Sequence, residues 1–327
     1  MKYYVGHPLQ TRGAEQYTLN GGKGNGMRFL NVRNGLGLEV WISLDRCADP
    51  GRVTYKGMNM SYIAPCGNVA PAYFDKDGGF LTCFTAGFMT TVGFEGAGGA
   101  SVDDGEAVPQ HGSISCCPAE LKAIEENDDE IKIKCTVRDG VLFGRRFVLE
   151  RVYTISYKEN VMNIRDTVTN EGEQEHPFLL LYHCNMGYPL VSENSIVKVP
   201  YSDIRATTKE AIENIDTALQ MEKPQQGYVE RCYFFDTVPA EGDTVKLGIF
   251  NPDISAGMVM SYDKKELPCF TEWKMMGRRD YVLGLEPGNC EPCPRAKMRE
   301  KGVLKFLDAD KSYSAGLTFK FIDEEEL

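Results

Sequence analysis

The sequence predicts an all-β protein, a single large antiparallel unit spanning 1–327. Apolar residues recur mainly with a period of two, helical periodicity is nearly absent, and 33 glycines and 16 prolines supply frequent turns. Leu38, Val40, Ile42 and Leu44 alternate with Glu39, Trp41 and Ser43, the pattern of a half-buried strand. Ile131, Ile133, Cys135 and Val137 repeat it against Lys132, Lys134 and Thr136. Phe147, Leu149, Tyr153 and Ile155 share one face of a third such segment. Phe178 to Tyr182 is continuously apolar, which suits a strand buried on both faces. Further strands are expected near 161–168, 195–199, 245–250, 257–262, 281–285, 303–307 and 314–321. One helix is expected from Thr208 to Met221, capped by Thr207 or Thr208, with Ala211, Ile212, Ile215 and Leu219 as its apolar stripe. One helix among a dozen strands argues against βαβ alternation and a doubly wound nucleotide-binding fold.

Composition narrows the function classes. Hydrophobic residues make up 42% and charged residues 25%, with mean hydropathy −0.32, which excludes disordered, collagen-like and coiled-coil chains. A net charge of −11 argues against nucleic-acid and anionic-membrane partners, because both need a basic surface. The longest apolar run, Phe178 to Tyr182, is far below the ~20 residues of a membrane-spanning helix. Eleven irregularly spaced cysteines, and no apolar leader within Met1 to Gln16, lead to the expectation of a cytoplasmic protein with free thiols.

Several motifs resolve to turns. Asn20 to Gly26 (NGGKGNG) precedes a strand and lacks the helix that a phosphate cradle requires. Gly93 to Gly99 (GFEGAGG) is read as a flexible loop, and Glu125 to Glu130 as a solvated turn. Cys290 and Cys293 form a CxxC without the second pair that zinc wants or the βαβ context of a redox site, so no metal is expected. There is no GxSxG, HExxH or calcium-binding loop.

The candidate chemistry lies at strand ends. Among four histidines, His7 is near the terminus and His176 precedes Pro177 in a polar turn. His111 follows a glycine-rich, acidic loop. His183 ends the apolar run 178–182 and, with Asn185 and Tyr188, puts polar side chains at a sheet rim. Glu286 likewise ends an apolar strand, after Leu283 and Leu285. A carboxylate there is costly unless hydrogen-bonded or protonated, and groups so perturbed concentrate at functional sites. The competing readings are a structural histidine and a glutamate that exits to solvent.

These residues, in this order, resemble the galactose mutarotase-like (aldose 1-epimerase) superfamily, specifically a divergent branch long described as a domain of unknown function. His111-Gly112 resembles the family's first His-Gly motif. Asp166 to Asn170, followed by the strand to His183-Cys184-Asn185-Met186-Gly187-Tyr188, resembles the strand pair carrying the catalytic histidine. Leu285-Glu286-Pro287-Gly288 resembles the segment carrying the catalytic glutamate, and the resemblance spans about 25–322. It implies a β-supersandwich of large antiparallel sheets with few short helices, acting on a small carbohydrate without metal or organic cofactor. It implies mutarotation, with Glu286 as the base on the anomeric hydroxyl, His183 as the acid on the ring oxygen, and His111 polarising the sugar.

Four further contacts are expected less directly. Trp273 would stack on a sugar's C–H face, with a core aromatic as the alternative. Asn185 would contact substrate from the rim, and Arg46 and Lys274 would meet hydroxyls or a carboxylate, against surface charge as the competing reading. Asp236 and Glu230 are the nearest counterparts of the family's hydroxyl-binding aspartate, and Thr271 or Glu272 replaces its glutamine. These departures leave two alternatives open: a non-catalytic carbohydrate-binding protein, or another sugar-processing enzyme on the same scaffold.

Overall fold

The computed structural model describes residues 3–75 and 79–326. It is all-β, with short helices confined to connections. An eight-stranded sheet runs in the spatial order Ala119–Glu126, Glu130–Gly140, Arg146–Ser156, Val161–Asn170, Ser312–Ile322, Ala256–Asp263, Thr244–Asn251 and Ile196–Lys198. A six-stranded sheet runs Tyr201–Ala206, Arg231–Thr237, Cys269–Met276, Tyr281–Gly288, Leu179–Met186 and Met89–Phe94. A five-stranded meander, Gly13–Thr18 to Met58–Asn59, is the third large sheet, beside three two-stranded ones, and all the strand pairs of the large sheets are antiparallel.

Alternation explains how the layers meet. Val40 and Ile42 from the meander, Ile133 and Leu149 from the eight-stranded sheet, and Tyr182, Leu283 and Leu285 from the six-stranded sheet share one buried cluster. The run Leu179–Met186 is buried along its whole length because it is covered on both faces. Its even-numbered side chains include Tyr182, in the core between the sheets, while His183 lines a cleft on the opposite face.

A buried ionic cluster joins the three sheets. Arg151 is fully buried, and its Nε and Nη2 donate to the two oxygens of Asp166 at 2.8 and 2.6 Å. Its Nη1 donates to Asp49 Oδ1 at 2.6 Å, and Nη2 donates to Thr91 Oγ1 at 2.8 Å. Thr91 also donates to Asp49 from its backbone N–H at 2.8 Å, and Tyr182 donates its hydroxyl to Asp166 at 2.9 Å. Burial raises the Asp49 carboxyl, and the Arg151 charge opposes that rise.

Most of the expected strands are present, several with longer bounds: Val161–Asn170, Thr244–Asn251, Tyr281–Gly288 and Ser312–Ile322. The segment near 303–307 is reduced to Phe306–Leu307. The expected helix over 208–221 is also shorter. Thr208 does cap it, accepting from Ala211 N–H at 3.3 Å, but the α-helix covers only Lys209–Glu213, followed by a 3-10 turn at Ile215–Thr217. The carbonyls of Thr217 and Gln220 accept from the buried Lys274 ammonium, and Thr217 O also accepts a 3-10-type bond from Gln220 N–H at 3.1 Å rather than an α-helical one. Gly93 to Gly98 is not a flexible loop: it is buried, Gly93 and Phe94 close a strand, and Ala97 bridges to Cys293.

Replacing Arg151 by Met leaves Asp49 and Asp166 buried without their cation. The expected loss of stability is about 3–5 kcal/mol, read as a lower urea midpoint. A loss below about 1 kcal/mol, the range of an exposed pair, would show that the cluster does not hold the sheets together.

Candidate active site

A cleft of about 330 Å³ opens on the six-stranded sheet, within the ~300–1,000 Å³ range of small-molecule sites. His183 and Glu286 lie on its floor, from adjacent strands. His183 Nε2 and Glu286 Oε1 are 3.1 Å apart, a close contact without hydrogen-bond alignment. Both are almost wholly buried, at 6% and 2% exposure.

The local sequence makes room for this pair. On Tyr281–Gly288, Leu283 and Leu285 point to the core while Gly284 and Glu286 share the cleft face. A Cβ at Gly284 would sit 2.6 Å from Glu286 Oε1 and 2.9 Å from Trp273 Cβ, so only glycine leaves space for both side chains. His111 arrives from a loop in which two consecutive residues have positive φ, 59° at His111 and 71° at Gly112. A Cβ at Gly112 would meet the Gly93 carbonyl oxygen at 2.0 Å, which explains the His-Gly pairing.

Around the pair, the walls are aromatic. The His183 ring lies 5.8 Å from His111, 5.3 Å from Trp273 and 5.3 Å from Phe84, each edge-on. Phe80 packs on His111 at 4.9 Å. Trp273 is held by its indole N–H, which donates to Glu230 Oε2 at 2.8 Å, leaving its ring along the cleft.

The dry walls set the protonation states. Burial, and then the charge of Glu230, push Glu286 well above the usual carboxylate range. Burial lowers His183 to about 3; His111 adds to this, and the Asn185 side chain opposes it. His111 falls to about 4 by burial. It accepts from Gly98 N–H through Nδ1 at 3.3 Å, so the neutral ring carries its proton on Nε2, as a donor.

The structure thus gathers His183, Glu286, His111 and Trp273 in one cleft, and leaves three expected contacts outside its walls. Arg46 is buried, donating to the carbonyls of Cys83 at 3.0 Å and Val69 at 3.4 Å; it ties down the chain beneath the Phe80–Cys83 helix. Lys274 faces away from the cleft because it alternates with Trp273 on one strand, and it donates to Thr217 O at 3.0 Å and to Gln220 O, with Glu222 at 3.2 Å. Asn185, two residues on along the same strand, is fully buried beside His183 and donates to the His183 carbonyl at 2.8 Å. Of the two candidate hydroxyl-binding acids, Glu230 lines the cleft, whereas Asp236 is paired with Lys264 at 2.7 Å elsewhere. Thr271 lines the cleft with an unpartnered hydroxyl, while Glu272 points into the core. Sequence reasoning missed Phe80, Phe84 and Cys232; an isolated pair of phenylalanines four apart carries no signal of which face it covers.

With this geometry in place, comparison with other proteins gives the family. A model of a domain of unknown function, DUF4432, matches residues 24–321. The chain belongs to the DUF4432 family. Solved structures similar to this DUF4432 protein have the galactose mutarotase-like fold. A "putative aldose 1-epimerase" from Klebsiella pneumoniae superposes with a TM-score of 0.89 at 22% identity, covering 96% of this chain and 88% of that one. A galactose mutarotase-like protein from Clostridium acetobutylicum gives 0.69 at 12% identity, covering 96% and 99%. One from Lactobacillus casei gives 0.59 at 14%, covering 90% and 99%. No curated protein matches the chain. Among the described residues, no helix is long and apolar enough to cross a membrane, and no group of three metal-ligating side chains could hold a metal ion.

Glu272 offers a test of this electrostatic picture. Burial raises it to about 8 from an ordinary 4.5, opposed by Lys274, and neither carboxylate oxygen has a hydrogen-bond partner. Between those values the folded state holds a proton that the unfolded state has released, so stability falls as pH rises through that window. Glu286 contributes in the same direction. Glu272→Gln is expected to lose less stability than wild type between about pH 5 and pH 8, measured by urea unfolding. Parallel pH profiles for the two proteins would contradict the shift.

Proposed function

We propose that this protein is an aldose 1-epimerase, exchanging the α and β anomers of a sugar at the His183–Glu286 pair. The observation that carries the reading is the 3.1 Å contact between two buried titratable groups, a carboxyl and an imidazole, on the floor of the cleft. Glu286 takes the proton of the anomeric hydroxyl while His183 donates one to the ring oxygen, and the C1–O5 bond breaks. The open-chain aldehyde rotates about C1–C2. Reversal of both proton transfers then closes the ring on the other face and restores the pair. His111 donates from Nε2 to a sugar oxygen, Trp273 supplies an apolar face, and Thr271 and Glu230 meet hydroxyls.

The burial of the pair suits this cycle. During the open-chain stage the proton rests on Glu286 and His183 is neutral, which is the form that the dry walls favour. The charged form needed for ring opening has the same net charge and differs only by one proton across the 3.1 Å gap. Each positioned group typically adds ~10² to 10⁴-fold to the rate. The fold class and the galactose mutarotase-like neighbours support the same chemistry.

Anomer exchange read by NMR magnetisation transfer, over a panel of aldoses, deoxy sugars and uronic acids, tests the assignment. One sugar is expected to exchange faster with wild type, and Glu286→Gln or His183→Gln to lower that acceleration at least ~10²-fold with the fold intact. A fully active Glu286→Gln protein refutes the reading. Saturable sugar binding with no acceleration favours a non-catalytic binding protein on this scaffold.

The pH profile provides an independent check. The pair works while it holds one proton in total, and this persists from about 3, where His183 titrates, to the raised value of Glu286. Acceleration is therefore expected to persist at about pH 5, where an exposed histidine of pKa ~6.5 is already mostly protonated. A fall of activity centred near pH ~6.5 would show that His183 is not desolvated during turnover.

A further inference from the structure

The molecule has a second and larger cleft, about 680 Å³, that the His183–Glu286 chemistry does not use. Arg52 of the strand Asp49–Tyr55 and Tyr62 contribute from one side. Tyr188, Glu193, Tyr281 and Arg279, in the turn joining two strands of the six-stranded sheet, contribute from the other. A ridge separates the two clefts. Tyr62, Phe80, Phe84 and Val282 pack as one apolar cluster with Trp273 against it; Tyr62 faces the larger cleft, and Phe84 and Trp273 face the smaller.

Charge distinguishes this surface. In a chain of net charge −11, most arginines are engaged by carboxylates. Arg52 and Arg279 are exposed and, among the described residues, their side chains make no ion pair or hydrogen bond. They come from different sheets yet line the same cleft. Glu193 is the one carboxylate on the wall and pairs with neither, while the neighbouring Asp280 accepts a hydrogen bond from the Tyr62 hydroxyl at 3.4 Å. Arg279 has φ 75°, a backbone position that glycine would ordinarily take, so the turn places a guanidinium at the cleft where a bare backbone would be less strained.

The aromatic lining indicates what accompanies the anion. Tyr188 is 72% exposed on the wall of the cleft, and Tyr62 and Tyr281 share the cleft with it. A tyrosine ring offers an apolar face and a polar edge, which suits a sugar ring. A guanidinium fork matches a carboxylate or sulfate oxygen pair.

We propose that this cleft is a second saccharide site, taking an acidic saccharide whose carboxylate or sulfate lies between Arg52 and Arg279 with its ring against Tyr188. The site is separate from the His183–Glu286 cleft and does not depend on the activity assigned there. Calorimetric titration with trigalacturonate, and with maltotriose as the neutral control, tests it. Saturable trigalacturonate binding is expected for wild type and equally for Glu286→Gln, at least tenfold weaker for the double variant Arg52→Gln/Arg279→Gln, and weaker again when Tyr188→Ala is added. Maltotriose is expected to bind at least tenfold more weakly than trigalacturonate. Both arginines are exposed, so an unchanged melting temperature in the double variant confirms that the fold survives. Unaltered affinity in the double variant overturns the proposal, as does the absence of trigalacturonate binding. Binding that Glu286→Gln abolishes and the arginine changes spare also overturns it, by placing the acid sugar in the smaller cleft. Anomer exchange, measured separately, keeps the fate of the epimerase reading distinct from this one.

Discussion

Arg151 holds the three sheets in register. Its guanidinium reaches Asp166 on the neighbouring strand, Asp49 from the meander and Thr91 from the six-stranded sheet, and Tyr182 closes the network on Asp166. A buried cation without these acceptors would be costly, so the strands bearing them have little freedom to slide. Tyr182 precedes His183 on the same strand. A one-residue slip would put tyrosine in the cleft and histidine in the core. The ionic cluster on one face thus fixes the position of the histidine on the other.

The cleft depends on desolvation in the same way that the core does. Phe80, Phe84 and Trp273 exclude water from His183 and Glu286, and both groups are driven toward their neutral forms. That environment suits a reaction whose proton inventory does not change over a cycle. It also assigns the supporting residues their parts. Arg46 secures the chain around the helix that supplies Phe80, Asn185 bonds the His183 carbonyl from the same strand, and Lys274 draws the Thr217–Gln220 segment onto the back of the sheet.

Lys274 and Glu272 show how a site on one face of a sheet constrains the other. Trp273 and Thr271 must face the cleft, so their neighbours must face the core. The protein keeps two ionisable groups there. One is satisfied by backbone carbonyls and Glu222, and the other is held up to about 8 with no hydrogen-bond partner.

The sequence alone determined the all-β class, most strand positions, and the residues to examine: His111, His183, Glu286 and Trp273. Period-two alternation is a local property, and a polar residue ending an apolar strand stands out against it. Whether those strand ends meet is not local. His111 and Glu286 are far apart in the chain, and the contact between His183 and Glu286 depends on strand order, the register that pairs Leu181 with Gly288, and the missing side chain at Gly284. The residues that lie outside the cleft walls are placed by the same cause. Arg46, Lys274 and Asn185 are polar residues near a rim in sequence, and nothing in composition tells whether a charged side chain leaves a sheet toward solvent or toward buried carbonyls. The tertiary structure made that choice, because only it decides which partners are close enough to offset the cost of burying a charge.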